Sequence, residues 1–431
     1  MDIAAALAYL DAHANYEKTG RVNAPNLDRM ALLVGVMGDP QHNYPVVHIT
    51  GTNGKGSTAQ IITTLLMAHG LSVGTITSPH LERVNERLTR DGEPISDEDL
   101  AEQITAVADL EVLAGVRPTY FEIITAASFR WFSDIAVDVA VVEVGMLGRW
   151  DATNVADGRV AVVTNVGLDH MAFAGPTKAH IAFEKAGIVK PGSTLVLGET
   201  EPELSHLFRA EGAAVTWERD LDFEVLSNQL ALGGRLLDIR TPYAMYNELF
   251  LPLHGSHQGD NAAAALVAVE SFFDAALDTE VVTEAFAAVR WPGRFEVLHH
   301  QPLVIVDGAH NPHGADACAH VIADDFAPAG RRILVVGFLN GQSPEAMLSA
   351  LQADTFDLVV CCTPPSPRAV PAEQTAAAAR SMGCDEVLTI PDVARACDRA
   401  VSNADGDDAV LVTGSLYVVG AARKHLLSVL S

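Results

Sequence analysis

The sequence predicts an α/β protein built on two doubly wound, mostly parallel β-sheets. Short apolar runs of strand composition alternate with segments of helical periodicity along most of the chain. A glycine-rich turn joins one such strand to a helix at residues 51–58. Pro292-Gly293 interrupts the alternation, which then restarts. We therefore expect a larger domain with a phosphate-binding loop over residues 1–292 and a smaller, Rossmann-like α/β domain over residues 293–431.

The elements of the first part follow in order. Apolar spacing predicts helices over residues 2–14, 27–37, 59–68, 97–113, 119–132, 178–189 and 257–273. Strand composition predicts β-strands over residues 45–49, 72–77, 137–144 and 160–164, and shorter strands from residue 194 to 253. A polar stretch over residues 23–26 separates the first two helices. Ser96 precedes Asp99 by three positions, which is typical of a helix cap, and Pro118 marks the start of the next helix.

Beyond residue 293 the alternation is regular, with a helix after each strand. The predicted strands cover residues 303–306, 332–336, 357–361, 386–390 and 409–412. This number of strand and helix pairs fits one α/β unit of ordinary domain size. We find no sequence repeat that relates the two halves of the chain.

Composition excludes several classes of function. A chain of 431 residues exceeds what one hydrophobic core usually supports. Its net charge of −27 is spread along the chain and disfavours nonspecific binding to nucleic acid or to an anionic membrane. The N-terminus lacks a basic signal region, and no apolar stretch approaches the roughly 20 residues of a membrane helix, so we expect a cytoplasmic protein.

The cysteines favour the same compartment. All five lie in the last third of the chain without C-x-x-C spacing: Cys318, Cys361, Cys362, Cys384 and Cys397. An odd number with this spacing is typical of small buried side chains in a reducing compartment, rather than of zinc ligands or a disulfide framework.

The glycine-rich turn is the strongest candidate for a binding site. Its residues are Gly51, Thr52, Asn53, Gly54, Lys55, Gly56, Ser57 and Thr58. Glycines let successive backbone N–H groups converge on a phosphate, and the helix that follows adds its positive end. Lys55 supplies a cation over the outer phosphates, and Ser57 or Thr58 can reach a bound Mg²⁺. The pattern departs from G-x-x-x-x-G-K-[ST] because Gly56 follows Lys55; the alternative is a tight turn without a ligand.

Two predicted strands end in groups that can bind a metal. Glu143 ends one strand, and Asp169-His170 follows the next. Ligands collect at the carboxyl edge of an open parallel sheet, so these groups can hold a second divalent ion near the terminal phosphate. Taken alone, Glu143 is equally compatible with a solvated carboxylate, and Lys185 with a solvent-facing helical lysine.

Several stretches, in one order along nearly the whole chain, resemble a known family. They are residues 51–57, 77–81, 121–122, 143–145, 148–154, 168–170, 184–190, 307–312 and 414–417. The chain resembles the Mur-type ATP-dependent amide ligases, most closely the folylpolyglutamate synthase/dihydrofolate synthase branch. Met146-Leu147 departs from the Leu-Gly that is common in the family, at the wall of the expected substrate loop.

The resemblance implies the following site residues. The implied metal ligands are Ser57, Ser78, Glu143, His170 and Lys185, with Lys185 carbamylated, which turns a cation into an oxygen ligand. The implied ATP-binding residues are residues 51–58, Asn261, Arg294, Asp307 and His310. The implied catalytic residues are Lys55, His170, Lys185 and Arg294. The implied substrate-binding residues are Thr119, Tyr120, Phe121, Glu122, Trp150, Asp151 and Ala152, with a weaker match at Asn26-Leu27-Asp28.

The activity that the resemblance implies is ATP- and Mg²⁺-dependent addition of L-glutamate to a folate or to dihydropteroate, within one-carbon metabolism. The acid attacks the γ-phosphate to give an acyl phosphate, which glutamate then aminolyses. Domain closure, with a hinge at Pro292-Gly293, keeps water from that intermediate. We expect a monomer with small-molecule substrates only. Two alternatives stay open: a Mur-type ligase for another carboxylate, such as a cell-wall precursor, and a P-loop ATPase switch.

Overall fold

The structure is a computed structural model that describes residues 1–19 and 26–430. Most of the predicted polar stretch at residues 23–26 lies outside the described residues. The α-helices are α1 (Ile3–Asp11), α2 (Tyr16–Thr19), α3 (Asp28–Val36), α4 (Lys55–Ala68), α5 (Asp97–Ala114), α6 (Tyr120–Asp134), α7 (Met171–Ala174), α8 (Lys178–Ala186), α9 (Pro202–Arg209), α10 (His257–Phe273), α11 (Thr279–Ala288), α12 (Pro312–Val321), α13 (Pro344–Ala350), α14 (Ala372–Ser381), α15 (Val393–Ser402) and α16 (Leu416–Val429).

The β-strands belong to three sheets. They are β1 (Val46–Thr50), β2 (Val73–Ile76), β3 (Leu88–Arg90), β4 (Glu93–Pro94), β5 (Val139–Glu143), β6 (Gly158–Val163), β7 (Thr194–Leu197), β8 (Val215–Glu218), β9 (Glu224–Ala231), β10 (Gly234–Arg240), β11 (Met245–Leu251), β12 (Glu296–His300), β13 (Leu303–Val306), β14 (Arg332–Val336), β15 (Leu358–Cys361), β16 (Val387–Thr389) and β17 (Ala409–Thr413).

The first sheet has eight strands in the order β4-β3-β2-β5-β1-β6-β7-β8. The strands from β2 to β8 in this order are parallel, and β3 and β4 form an antiparallel edge. Val47 and Ile49 of β1 pack with α4 and α10 on one face, and Val46 packs with α5 and α6 on the other. Helices on both faces explain why every residue of β1 is buried. The predicted doubly wound architecture is confirmed.

The second sheet has the order β12-β13-β17-β14-β15-β16, with β12 antiparallel at its edge and the other strands parallel. All five predicted strands of this region are present, within one residue at each end. The five cysteines are buried and unpaired, as predicted. Among the described helices, we find none with the length and apolar character that crossing a membrane requires.

In the sequence, β9, β10 and β11 come between the strands of the two large sheets. They form a small antiparallel sheet in the order β11-β10-β9, which packs against α10. The prediction of strands throughout residues 194–253 is wrong at residues 202–209, where α9 forms. Pro202 starts this helix, and Leu204 and Phe208, four residues apart, bury one face of it. The segment is too short for its helical spacing to be distinguished from the strand-like composition of its neighbours.

Helix α10 contains a buried carboxyl group, Glu270, beside the apolar core that α10 shares with α4 and the first sheet. Its Oε1 accepts hydrogen bonds from Thr241 Oγ1 and Tyr246 Oη, both at 2.9 Å, and its Oε2 has no hydrogen-bond partner in the part of the chain that the structure describes. Burial raises the pKa of Glu270 to about 7, above its ordinary value of 4.5. The folded protein therefore holds a proton on Glu270 that the unfolded chain releases.

We expect this group to make stability depend on pH. Between about pH 4.5 and 7 the folded state binds more protons than the unfolded state, so the free energy of unfolding falls as pH rises, by up to about 3 kcal/mol. Glu270→Gln should match the wild type near pH 5 and exceed its urea midpoint near pH 8. The exposed Glu284→Gln in α11 is the control. Equal midpoints at pH 8 would contradict the assignment.

Candidate active site

The phosphate loop follows β1 and ends at Gly54, which adopts φ +82° and caps α4. A Cβ at Gly54 would lie 2.2 Å from Asn261 Oδ1, and one at Gly56 would lie 2.8 Å from the Trp291 ring. The loop backbone is therefore approached closely on both sides, and only glycine fits at these positions. The loop leads into the N-terminus of α4, whose positive end suits an anion; Thr52 N and Asn53 N donate to Asn165, so a phosphate here remains a prediction.

Asparagine side chains support the loop from two directions. Asn165, at the end of β6, accepts from Asn53 N at 3.1 Å and donates to Asn53 O at 3.0 Å. From the second sheet, Asn311 Nδ2 donates to Asn53 Oδ1 at 3.0 Å, and His313 Nδ1 lies 2.7 Å from Asn53 Nδ2. The loop thus lies where the two sheets' regions meet. Sequence reasoning did not predict these supports.

Lys55 lies at the centre of the charged groups. Its Nζ donates to Gly51 O at 3.2 Å and to Thr52 O at 3.3 Å, so the ammonium stays beside the loop. Its charge acts on Glu143, His170 and Lys185, three residues that come from separate elements. The strand ends in the sequence predict proximity of Glu143 and His170 at the carboxyl edge of the first sheet, whereas only the family resemblance implies that Lys185 joins them.

Two buried carboxylates face Arg294 from opposite sheets. Glu143, at the end of β5, accepts from Ser78 N at 3.1 Å, and burial raises its pKa against the opposing charges of Lys55 and Arg294. Asp307, after β13, accepts from Phe295 N at 3.1 Å and Ala309 N at 2.9 Å. Burial raises the pKa of Asp307 too, again opposed by Arg294. The charge of Arg294 therefore acts on one buried carboxylate from each region.

A histidine and a lysine complete the cluster. His170 adopts φ +51° before α7, and its Nε2 lies 3.8 Å from Asp169 Oδ2. Burial lowers the pKa of His170 to about 4. The negative charge of Asp169 opposes this shift, and the positive charges of Lys185 and Lys55 lower the pKa further. Lys185, in the last turn of α8, is 2 % exposed, and burial lowers its pKa well below the ordinary value. The solvent-facing lysine that its helix alone suggested is therefore wrong.

The predicted metal ligands fit an ion that is shared with phosphate. In residues 1–19 and 26–430 no group of three or more His, Cys, Asp or Glu side chains forms a metal cage. Ser57 is buried at the loop, and Ser78 adjoins Glu143 through its backbone. Hard oxygen ligands are therefore few among the described side chains, so an ion held here would need phosphate oxygens, and a carbamate on Lys185 would add the kind of oxygen that Mg²⁺ prefers.

The acidic members of the predicted substrate set are tied into the structure. Thr119 and Glu122 form a reciprocal cap on α6, at 3.2 and 2.7 Å, and Glu122 also pairs with Arg29 at 2.9 Å. Asp151 accepts from Met146 N at 2.8 Å and from Thr153 Oγ1 at 2.6 Å. Both carboxylates are buried and hold local structure.

The other predicted substrate residues differ in accessibility. Trp150 is 47 % exposed, whereas Tyr120 and Ala152 are buried. Phe121 is half-buried, and a Cβ at Gly145 would lie 2.5 Å from its ring. Flat accessible surface in this set is thus concentrated on Phe121 and Trp150. Asn26-Leu27-Asp28 precedes and starts α3, where Arg29, a residue that the sequence did not single out, reaches Glu122.

His310 and Asn261 complete the predicted nucleotide set. His310 Nδ1 lies 3.0 Å from Gly308 O, and Gln342 Nε2 donates to the His310 carbonyl oxygen. Asn261 Nδ2 donates to Gln258 Oε1 at 3.0 Å, which turns its Oδ1 towards Gly54. Asn261 therefore borders the phosphate loop from the first region, and His310 borders the turn that contains Asp307 in the second region.

A phosphate loop joined to a second α/β unit through Asn311 and His313 is the arrangement of the Mur-type ATP-dependent ligases. The family model described as the Mur ligase middle domain matches residues 49–269, and that described as the Mur ligase glutamate ligase domain matches residues 293–416. A dihydrofolate synthase/folylpolyglutamate synthase of Mycobacterium tuberculosis is 39% identical over 439 residues, covering 93% of this chain and 89% of the relative.

Solved structures agree. Mycobacterium tuberculosis folylpolyglutamate synthase complexed with ADP superposes with a TM-score of 0.91 at 38% identity, covering 99% of both chains. A bifunctional folylpolyglutamate synthase/dihydrofolate synthase with Mn, AMPPNP and L-glutamate bound gives a TM-score of 0.85 at 30% identity, covering 99% of this chain and 98% of that chain. The chain belongs to the folylpolyglutamate synthase/dihydrofolate synthase family of the Mur ligase superfamily. The family assignment favours the ligase over both the cell-wall ligase and the ATPase switch.

Proposed function

We propose that this chain uses ATP to join L-glutamate to a reduced folate, to dihydropteroate, or to both, through an acyl phosphate. The observation that carries the proposal is the convergence on Lys55 of charged groups from β5, the β6 end and α8, together with Arg294 from beyond the Pro292-Gly293 break. We propose residues 1–292 and 293–431 as the two domains, with the nucleotide between them. Binding of ADP and AMPPNP by the similar structures supports this arrangement.

The phosphates of ATP would lie on the N–H groups of residues 51–58, and the nucleoside would contact Asn261, Arg294, Asp307 and His310. Asp307 and Arg294 support each other by charge, so Asp307 would orient the guanidinium towards the phosphates. The close approach of Asn261 to Gly54 supports a role in closing one side of this pocket.

In the first step, an oxygen of the substrate carboxylate attacks the γ-phosphorus and ADP leaves with the electron pair of the broken bond. Lys55 and Arg294 offset the negative charge that develops on the transferred phosphoryl group. Mg²⁺, when bound by Ser57, Ser78, Glu143, His170 and a carbamylated Lys185 together with phosphate oxygens, supplies further charge neutralisation.

In the second step, the neutral amino group of L-glutamate attacks the acyl carbon, and phosphate leaves as the amide forms. Phe121 and Trp150 offer flat faces to the ring of the acceptor, while Thr119, Tyr120, Glu122, Asp151 and Ala152 shape its pocket. Approach of the two domains over the acyl phosphate would exclude water from it.

The remaining parts of the proposal concern context. We propose that the enzyme is a cytoplasmic monomer with small-molecule substrates and without nucleic-acid or membrane partners. The net charge of −27 and the unpaired, buried cysteines support a reducing compartment and disfavour polyanionic partners.

The test is phosphate release from ATP by the purified chain with each substrate combination. Release should require both an acid, dihydropteroate or tetrahydrofolate, and L-glutamate, and mass spectrometry should show one added glutamate in the product. Offering the two acids separately tells which is accepted. Release without either substrate would favour the ATPase switch and contradict the ligase.

A further inference from the structure

The segment from Ser78 to Glu82, termed here the bridging loop, leaves the first sheet and lies against the second sheet's region. Its Leu81 packs on the apolar cluster formed by β13, β14, β17 and α16. A Cβ at Gly420 of α16 would lie 2.1 Å from Leu81 O, and one at Gly293 would lie 3.1 Å from Leu81 Cδ2. The bridging loop is therefore seated in a close-fitting recess made by glycines of the second region.

An ion-pair network fastens the same loop. Arg423 of α16 binds Glu296 through two hydrogen bonds, of 2.7 and 2.9 Å, and donates a third from Nη1 to Glu82 Oε1 at 2.7 Å. Glu296 Oε2 also accepts from Gly293 N at 2.8 Å. The Arg423, Glu82 and Glu296 side chains are only 22, 26 and 22 % exposed, so solvent screens this network less than an open surface pair.

The two ends of the bridging loop are held by carboxylates of the first domain. The Glu86 carboxylate accepts from Leu81 N at 2.7 Å, Glu82 N at 3.1 Å and Arg83 N at 2.8 Å, which ties the turn into one body. At the other end of the loop, Ser78 N donates to Glu143 at 3.1 Å. The Ser78–Glu143 contact thus lies three residues along the chain from Leu81, the residue that packs against α16.

We propose that Arg423 is a positioning residue, which with Gly420 couples docking of the second domain to the placement of Ser78 against Glu143. The bridging loop takes its active arrangement only while α16 holds Leu81 and Glu82. Phosphoryl transfer from ATP is thereby suppressed until the second domain has docked, because Ser78 and Glu143 are not brought together before then. The inference rests on the proposed function for the role of Ser78 and Glu143, and its main readout needs no turnover.

The test is hydrogen exchange of the intact protein without ligands, followed at the Ser78, Leu81 and Glu82 amides. Arg423→Met and Glu82→Met should each speed exchange at these amides by about tenfold or more, since each removes the hydrogen bond between Arg423 Nη1 and Glu82 Oε1 that crosses between the regions. The kcat for glutamate ligation should fall about tenfold or more, with the KM for ATP within about twofold, because the phosphate loop is untouched. Arg331→Met, which removes an exposed pair with Glu386, is the control and should change neither quantity.

Gly420→Ala separates positioning from loss of folding. Alanine has a higher helix propensity than glycine, so the substitution does not weaken α16 itself. The added methyl group would, however, lie 2.1 Å from Leu81 O, which is too close for the bridging loop to keep its position. The thermal midpoint of the second domain should therefore persist while exchange at residues 78–82 rises and kcat falls. Gly35→Ala in α3 is the matched control, because nothing lies within 4 Å of its Cβ position.

The outcomes distinguish the inference from the proposed function. Unchanged exchange at residues 78–82 in both Arg423→Met and Gly420→Ala overturns the coupling, whatever their activity. Faster exchange in a protein whose wild type ligates no glutamate supports the coupling and overturns the proposed function. Faster exchange with unchanged kcat overturns the role of the coupling in catalysis.

Discussion

The Lys55→Met protein is expected to lose about a thousandfold in kcat for glutamate ligation while it keeps the wild-type fold. The loss follows from the position of Lys55, whose charge acts on Glu143, His170 and Lys185 around the phosphate loop. Arg294, which approaches from beyond the domain break, keeps its charge in this variant, so the loss measures the contribution of Lys55. The transition state of phosphoryl transfer would therefore form with one less compensating charge.

Stability should hardly change in Lys55→Met. Lys55 is half-buried, and among the described residues its ammonium donates to Gly51 O and Thr52 O alone, at 3.2 and 3.3 Å, so little packing is lost. Steady-state phosphate release, far-ultraviolet circular dichroism and a urea midpoint measure the two effects separately. The control is Lys178→Met in α8, which removes a partly exposed ion pair between Lys178 and Glu201. Activity within about twofold of the wild type would remove Lys55 from the mechanism.

Local sequence pattern predicted most of the fold because the parallel strands are buried on both faces. Continuous apolar runs such as β1 and β14 are distinct from the helices between them, and α10 has the predicted bounds, His257–Phe273. The pattern failed at β12, which lies at the sheet edge with half-buried residues and no clear alternation. It failed at α9 because eight residues give too few turns for the helical period to stand out.

The candidate site was predictable where one contiguous stretch creates the chemistry, as in residues 51–58. Partners that tertiary structure brings in were not. Asn165 and Asn311 hold Asn53 from positions more than 100 residues away in sequence, and Arg29 reaches Glu122 across 93 residues. The sequence also left Lys185 ambiguous, because its burial depends on how α8 packs at the sheet edge and not on the helix alone.

The Lys185→Ala protein is expected to lose about a hundredfold or more in kcat, and short carboxylates such as acetate or formate should restore part of it. Lys185 is buried, and the like charge of Lys55 acts on it more strongly than the opposite charge of Asp169. Burial favours its neutral amine, which can add to CO₂ with release of a proton and become an anionic oxygen ligand. A small carboxylate can enter the space that alanine leaves and supply the same oxygens.

Rescue is the discriminating measurement, since loss of activity alone would also follow from a packing defect. Lys55→Met is the matched comparison, because a carboxylate cannot replace a cation, and it should stay inactive at every acetate concentration. Intact-mass analysis of the wild type in bicarbonate should show the addition of one CO₂, and the addition should be absent from Lys185→Ala. An unmodified wild type together with no rescue of Lys185→Ala would refute the carbamate.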